Sequence, residues 1–186
     1  MSLAKSVFRL ALVTALLLLI PLVAMQFTRE VTWTLADFVL AGGLLFGAGL
    51  TYVLIARLGG NAAYRLAAGV AVGAGLLLSW LNLAVGIIGG ENNPANLLYG
   101  GVLAVAFLGA IWARFRPRGL AQAMSATALV QLVVPLVAAL IWKPAVNQAL
   151  VQVLPLNACF AALWGSAGWL FRCAGGGTGV GPQPAQ

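Results

Sequence analysis

Long apolar runs alternate with short polar links along the whole chain. Several runs reach the roughly 20 residues that a helix needs to cross the hydrocarbon core of a bilayer. The pattern predicts six helices, over about 7–27, 37–56, 66–89, 94–115, 120–142 and 150–171. The expected fold is therefore all-α, an integral membrane bundle of six transmembrane helices spanning residues 1–174. The segment 175–186 is rich in Gly and Pro, has no periodicity, and is expected to be a disordered tail.

The links carry helix start and stop signals. Thr34 and Asp37 have the Thr-x-x-Asp spacing of a helix start, in which the threonine caps free N–H groups and the carboxylate favours the positive end of the dipole. Asn93-Pro94 reads as an N-cap followed by proline at the first helical position. Lys143-Pro144 is expected to end the fifth helix, and Pro135 can kink it. The first run is longer than the apolar core of a signal peptide, and no A-x-A site follows it, so it is expected to be a retained helix.

Small residues suggest packing faces. Gly43 and Gly47 are four apart on the second helix. In the third, Gly75, Ser79, Asn82, Gly86 and Gly90 recur at helical spacing. Such stripes let neighbouring helices approach closely.

Composition agrees with this picture. The 186 residues are 62% hydrophobic and only 7% charged, far below the roughly 25% of a soluble domain. The net charge of +7 does not imply nucleic acid, because the basic residues lie between apolar runs and not on one soluble face. They read instead as topology signals. Lys5, Arg9, Arg57, Arg65, Arg114, Arg116, Arg118 and Arg172 fall on the side of the termini. Arg29, Lys143, Glu30, Asp37 and Glu91 fall on the other. The positive-inside rule then places both termini in the cytoplasm. Trp33 and Trp142 would mark the outer interface, and Trp112, Phe115 and Trp169 the inner one.

Candidate chemistry is sparse. Asn82, Gln131 and Asn157 sit on three predicted helices, between the midplane and the outer side, with Asn82 about 10 Å inside. Amides in lipid need partners, and these three are expected to bond one another across helices. The competing reading is an outward-facing polar cavity with Glu91, Asn92 and Asn96 at its rim, since polar groups within membranes also mark binding paths. Glu91, in a surface turn before a helix, is better explained as a solvated carboxylate serving the dipole. The Asn-Pro-Ala at 93–95 is similar to the aquaporin motif, but that family carries two copies and this chain has one. An N-cap accounts for it without a pore.

Several activities lack their residues. There is no histidine, so no Ser–His pair and no histidine-ligated haem or usual zinc site. Asp37 is the only aspartate, so there is no membrane aspartyl dyad. No charge falls near a predicted midplane, where ion-coupled transporters generally keep one. Cys159 and Cys173 would lie about 21 Å apart on one helix, too far to bridge. These absences point away from an enzyme while leaving the question open, and no cofactor or metal is expected.

The segments 24–33, 37–38 and above all 80–98 (WLNLAVGIIGGENNPANLL), with 113–119 and 169–172, resemble a family of small, uncharacterised bacterial multi-pass inner-membrane proteins. The resemblance implies a bacterial inner-membrane location and a multi-helix fold, and it assigns no functional residue. Two functions follow as expectations. One is a non-enzymatic accessory or self-associating subunit, with the bilayer, another membrane protein or a second copy as partner. The alternative is a small-solute binder or transporter using the outward polar residues.

Overall fold

A computed structural model of the chain describes residues 2–141 and 146–176, with side chains in the second stretch from 153 onward. Six α-helices run in order: α1 (Leu3–Phe27), α2 (Leu35–Leu58), α3 (Ala62–Ala84), α4 (Leu98–Trp112), α5 (Pro117–Ile141) and α6 (Val146–Gly176). A 3₁₀ turn, Pro94–Leu97, leads into α4. Among the described residues there is no strand, and six helices are long and apolar enough to cross a membrane. This is the make-up of a multi-pass membrane protein.

The helix ends are set by local backbone chemistry. α2 begins as expected: Asp37 Oδ2 accepts from the Thr34 amide at 2.7 Å, and the Asp37 amide donates back to Thr34 Oγ1 at 3.4 Å. α3 starts earlier than hydropathy suggests, because Asn61 caps it by accepting from the Tyr64 amide at 2.9 Å. It also ends earlier, at Ala84 and not at Gly89. Gly86, Gly89 and Gly90 have φ of 65°, 63° and 97°, a left-handed backbone that breaks the helix. A Cβ at Gly86 would collide with the Gly90 carbonyl. The expected stripe is therefore helical only at Gly75, Ser79 and Asn82.

α4 likewise stops at Trp112, short of Phe115, because Arg114 and Phe115 take φ of 50° and 56°. α6 continues through Gly175 and Gly176, which hydropathy assigned to the tail. The rest of that tail, Trp142 and the Lys143-Pro144 stop lie outside the described residues.

The chain divides into two compact units, Met1–Leu54 and Ile55–Gln186. In the first, α1 and α2 run antiparallel, with Leu10 seated at Gly49 and Leu18 at Gly42. Each helix buries a single residue, Thr14 and Ala41.

The second unit holds the core. α6 packs most extensively on α5, then on α3, and α4 packs on α5. Small residues allow these contacts. A Cβ at Gly168 would lie 3.1 Å from the Ala121 carbonyl oxygen, and one at Gly109 would lie 2.8 Å from the Ala123 Cβ. Trp164, Tyr99, Phe171, Leu78 and Leu120 are among the unit's largest fully buried side chains. Among the described residues many large apolar side chains are exposed, such as Phe8, Leu35, Phe107 and Leu140, which suits helices solvated by lipid.

Candidate functional site

Among the described residues of the second unit, two groups of buried polar side chains are tied together by hydrogen bonds. The first latches the turn after α3. Asn96 Oδ1 accepts from the Ile88 amide at 2.8 Å, while its Nδ2 donates to the carbonyls of Gly90 at 2.6 Å and Ile88 at 3.3 Å. One side chain thus satisfies three backbone groups that the left-handed glycines have taken out of the helix. Asn93 caps the following 3₁₀ turn by accepting from the Ala95 amide at 3.0 Å. The Asn-Pro-Ala motif acts here as a cap.

The second group links α4, α5 and α6. Gln131 Nε2 donates to Asn157 Oδ1 at 2.9 Å, and Asn157 Nδ2 donates to Tyr99 Oη at 3.0 Å and to the Val153 carbonyl at 2.9 Å. Gln131, Asn157 and Tyr99 are all essentially inaccessible. Amides and a phenol hold this position without charge, which suits a medium where a bare ion is costly.

The expected cluster therefore forms only in part. Gln131 and Asn157 meet as anticipated, but Asn82 does not join them. It lies two residues from the end of α3, where its Nδ2 reaches the Asn96 carbonyl at 3.3 Å. The depth expected for it rested on a helix running to Gly89. Asn96 is buried in its own turn and lines no rim. Glu91 and Asn92 are exposed in that turn, and no hydrogen bond among the described residues joins either to the Gln131–Asn157 pair. Tyr99 was not anticipated. Its signal in the sequence is faint, because a tyrosine near a helix start reads as an interfacial aromatic.

Among the described residues, three buried side-chain polar atoms have no partner: Asn82 Oδ1, Gln131 Oε1 and Trp164 Nε1. Each such group costs about 1–3 kcal/mol when left unsatisfied. The hydroxyls of Ser79, Ser125 and Thr127, by contrast, bond back to carbonyls four residues earlier at 2.8–2.9 Å. Among the described residues, no three Cys, Asp or Glu side chains gather where a metal ion could be held. Cys159 and Cys173 are both free and exposed.

No protein-family model matches the chain, and no curated protein or solved structure shows detectable similarity to it. A functional reading therefore rests on the residues themselves.

Proposed function

We propose that the protein is a non-enzymatic subunit of a bacterial inner membrane, with both termini cytoplasmic, that acts through helix–helix contacts with another membrane protein or a second copy. The observation that carries this reading is the contrast between its two units. In the second, the buried polar side chains are largely consumed in hydrogen bonds within the unit, across helices at Gln131, Asn157 and Tyr99 and within a turn at Asn96. In the first, α1 and α2 bury one residue each. Gly42 and Gly49 are used within that hairpin, whereas a Cβ at Gly43 or Gly47 would meet nothing within 4 Å. Two exposed glycines one turn apart are the surface on which membrane helices associate. The bacterial inner-membrane assignment rests on the resemblance of 80–98, and the cytoplasmic termini on the excess of basic residues on their side of the predicted spans.

The test is native mass spectrometry of protein gently extracted at natural abundance from its own membranes. A defined partner or homo-oligomer is expected, and it should disappear in Gly43→Leu/Gly47→Leu while the helical content is kept. A monomeric, partner-free particle from the wild-type chain would overturn the proposal.

One observation favours the second reading, a small-solute site: the unpartnered Gln131 Oε1 inside the α4–α5–α6 network. It predicts a reproducible small adduct in the same spectra that is lost in Gln131→Met.

A further inference from the structure

One buried tyrosine gathers most of the arginines of the second unit to one end. Tyr64, 2% exposed, donates its hydroxyl to the Phe115 carbonyl at 2.8 Å. Its ring stands edge-on to Phe171 with centroids 5.2 Å apart. Arg65 follows Tyr64, Arg114 and Arg116 flank Phe115, and Arg172 follows Phe171. Arg118 belongs to the same end, since a Cβ at Gly175 on α6 would lie 3.5 Å from its Cγ. Asn61 Nδ2 also ties the start of α3 to the end of α6, through the Ala174 carbonyl at 3.0 Å. All five arginines are exposed. Arg172 Nη2 reaches Ser125 Oγ at 3.5 Å, the outer limit of a hydrogen bond.

No carboxylate side chain of this unit is near them. The chain has three acidic residues, and the one in this unit is Glu91. It lies past the far end of α3, a helix of 23 residues and so about 35 Å in length.

A topology signal alone needs only positive charge, which lysine supplies equally well. All five residues are arginine, whose planar fork of donors matches phosphate oxygens two at a time. The turn that carries Arg114 also holds a left-handed backbone at two non-glycine residues, a conformation that glycine would adopt without penalty. Trp112 precedes Arg114 by two residues and Trp169 precedes Arg172 by three. They are 91% and 64% exposed. Indoles at such positions sit at the depth of lipid headgroups.

We infer that this end binds the phosphodiester headgroup of an anionic phospholipid, with Arg65, Arg114, Arg116, Arg118 and Arg172 as donors. A soluble phosphate compound offers the same oxygens but no acyl chains. The exposed tryptophans beside the arginines favour the lipid, and a headgroup with two phosphates, as in diphosphatidylglycerol, best matches five guanidinium groups.

The experiment follows thermal unfolding of the full-length protein in a neutral detergent. Diphosphatidylglycerol, phosphatidylcholine or inorganic pyrophosphate is added in turn. Diphosphatidylglycerol is expected to raise the midpoint by about 3–8 °C by binding the folded state. Phosphatidylcholine and pyrophosphate should leave it in place. Arg114→Gln/Arg116→Gln/Arg172→Gln should weaken the apparent affinity by about tenfold or more. An equal shift from phosphatidylcholine, or a full response in the triple variant, overturns the inference, and a shift from pyrophosphate alone overturns the lipid as the source. Should the variant fail to fold, the wild-type protein decides. Preferential retention of diphosphatidylglycerol over phosphatidylcholine at equal mole fraction, read by native mass spectrometry, sustains the site; equal retention removes it.

Discussion

Gln131 on α5 donates its side-chain amide to Asn157 Oδ1 on α6 across 2.9 Å, and neither side chain reaches the protein surface. The two partners are not equivalent. Asn157 also serves Tyr99 and the Val153 carbonyl, whereas Gln131 Oε1 already lacks a partner. Asn157→Leu therefore strands the Gln131 amide and the Tyr99 hydroxyl, at a cost of about 2–3 kcal/mol. Gln131→Leu removes one bond together with an existing orphan, and costs about 1 kcal/mol or less. In the double variant the costs should fall short of additive by roughly 0.6–1.7 kcal/mol, the range for hydrogen bonds between membrane helices. Reversible unfolding in mixed micelles gives all four corners of the cycle. Strict additivity would show that the pair does not hold α5 to α6.

The turn between α3 and α4 depends on a different asparagine. Asn96 satisfies the Ile88 amide and two carbonyls, and Ile88 itself is 2% exposed. Asn96→Ala leaves the Ile88 amide and carbonyl without their side-chain partner, while the Gly90 carbonyl keeps the Asn93 amide at 3.2 Å, and should cost about 2–4 kcal/mol. Gly86→Ala forces a side chain into a left-handed backbone, at about 1–2 kcal/mol, in addition to its collision with Gly90. Asn92→Ala, one residue beyond the exposed Glu91, should stay within about 0.5 kcal/mol of wild type. Thermal midpoints of the three variants check the order. A large effect at Asn92 with none at Asn96 would return the turn's asparagines to a rim or binding role.

The contrast between these sites explains what could be read from the sequence. The six spans were legible because lipid demands a continuous apolar run of a set length, and that demand is written in composition. The Gln131–Asn157 pair was legible because an amide inside such a run must find a partner. The end of α3 was not, since 85–89 is as apolar as the helix before it and only the backbone of Gly86 stops it. That error placed Asn82 too deep and so in the wrong cluster. The start of α3 was hidden for a related reason: Asn61 lies in a short basic link whose alanines belong to the helix. Tyr99 escaped because its ring counts as apolar while its hydroxyl does the bonding.

Tyr64 offers a test of the turn that follows α4. Tyr64→Phe keeps the ring on Phe171 but leaves the Phe115 carbonyl without its donor. A loss of about 1 kcal/mol is expected. At Arg114, with φ of 50°, glycine relieves the left-handed strain, less its own entropy in the unfolded chain. Arg114→Gly should therefore stabilise by roughly 0.5–1 kcal/mol. Denaturation midpoints read both. A strongly destabilised Arg114→Gly would mean that the arginine side chain, and not the turn, holds this end of the bundle.

Orientation across the membrane is decided by the two ends of a single span. Asn92 precedes Pro94–Trp112 and Arg116 follows it, and those 19 residues reach about 28 Å as a helix, close to the thickness of the hydrocarbon core. The two positions are then expected on opposite faces of the membrane, in the direction that charge predicts. Arg114, Arg116 and Arg118 cluster at one end, while Glu91 stands at the other. Cys159 and Cys173 are exposed and must first be replaced. A single cysteine at Asn92 is then expected to react with a membrane-impermeant maleimide in intact cells, and one at Arg116 only after permeabilisation. The reverse pattern would invert the topology without touching the fold. Labelling of both in intact cells would be more damaging, because it would mean that Pro94–Trp112 does not cross the membrane at all.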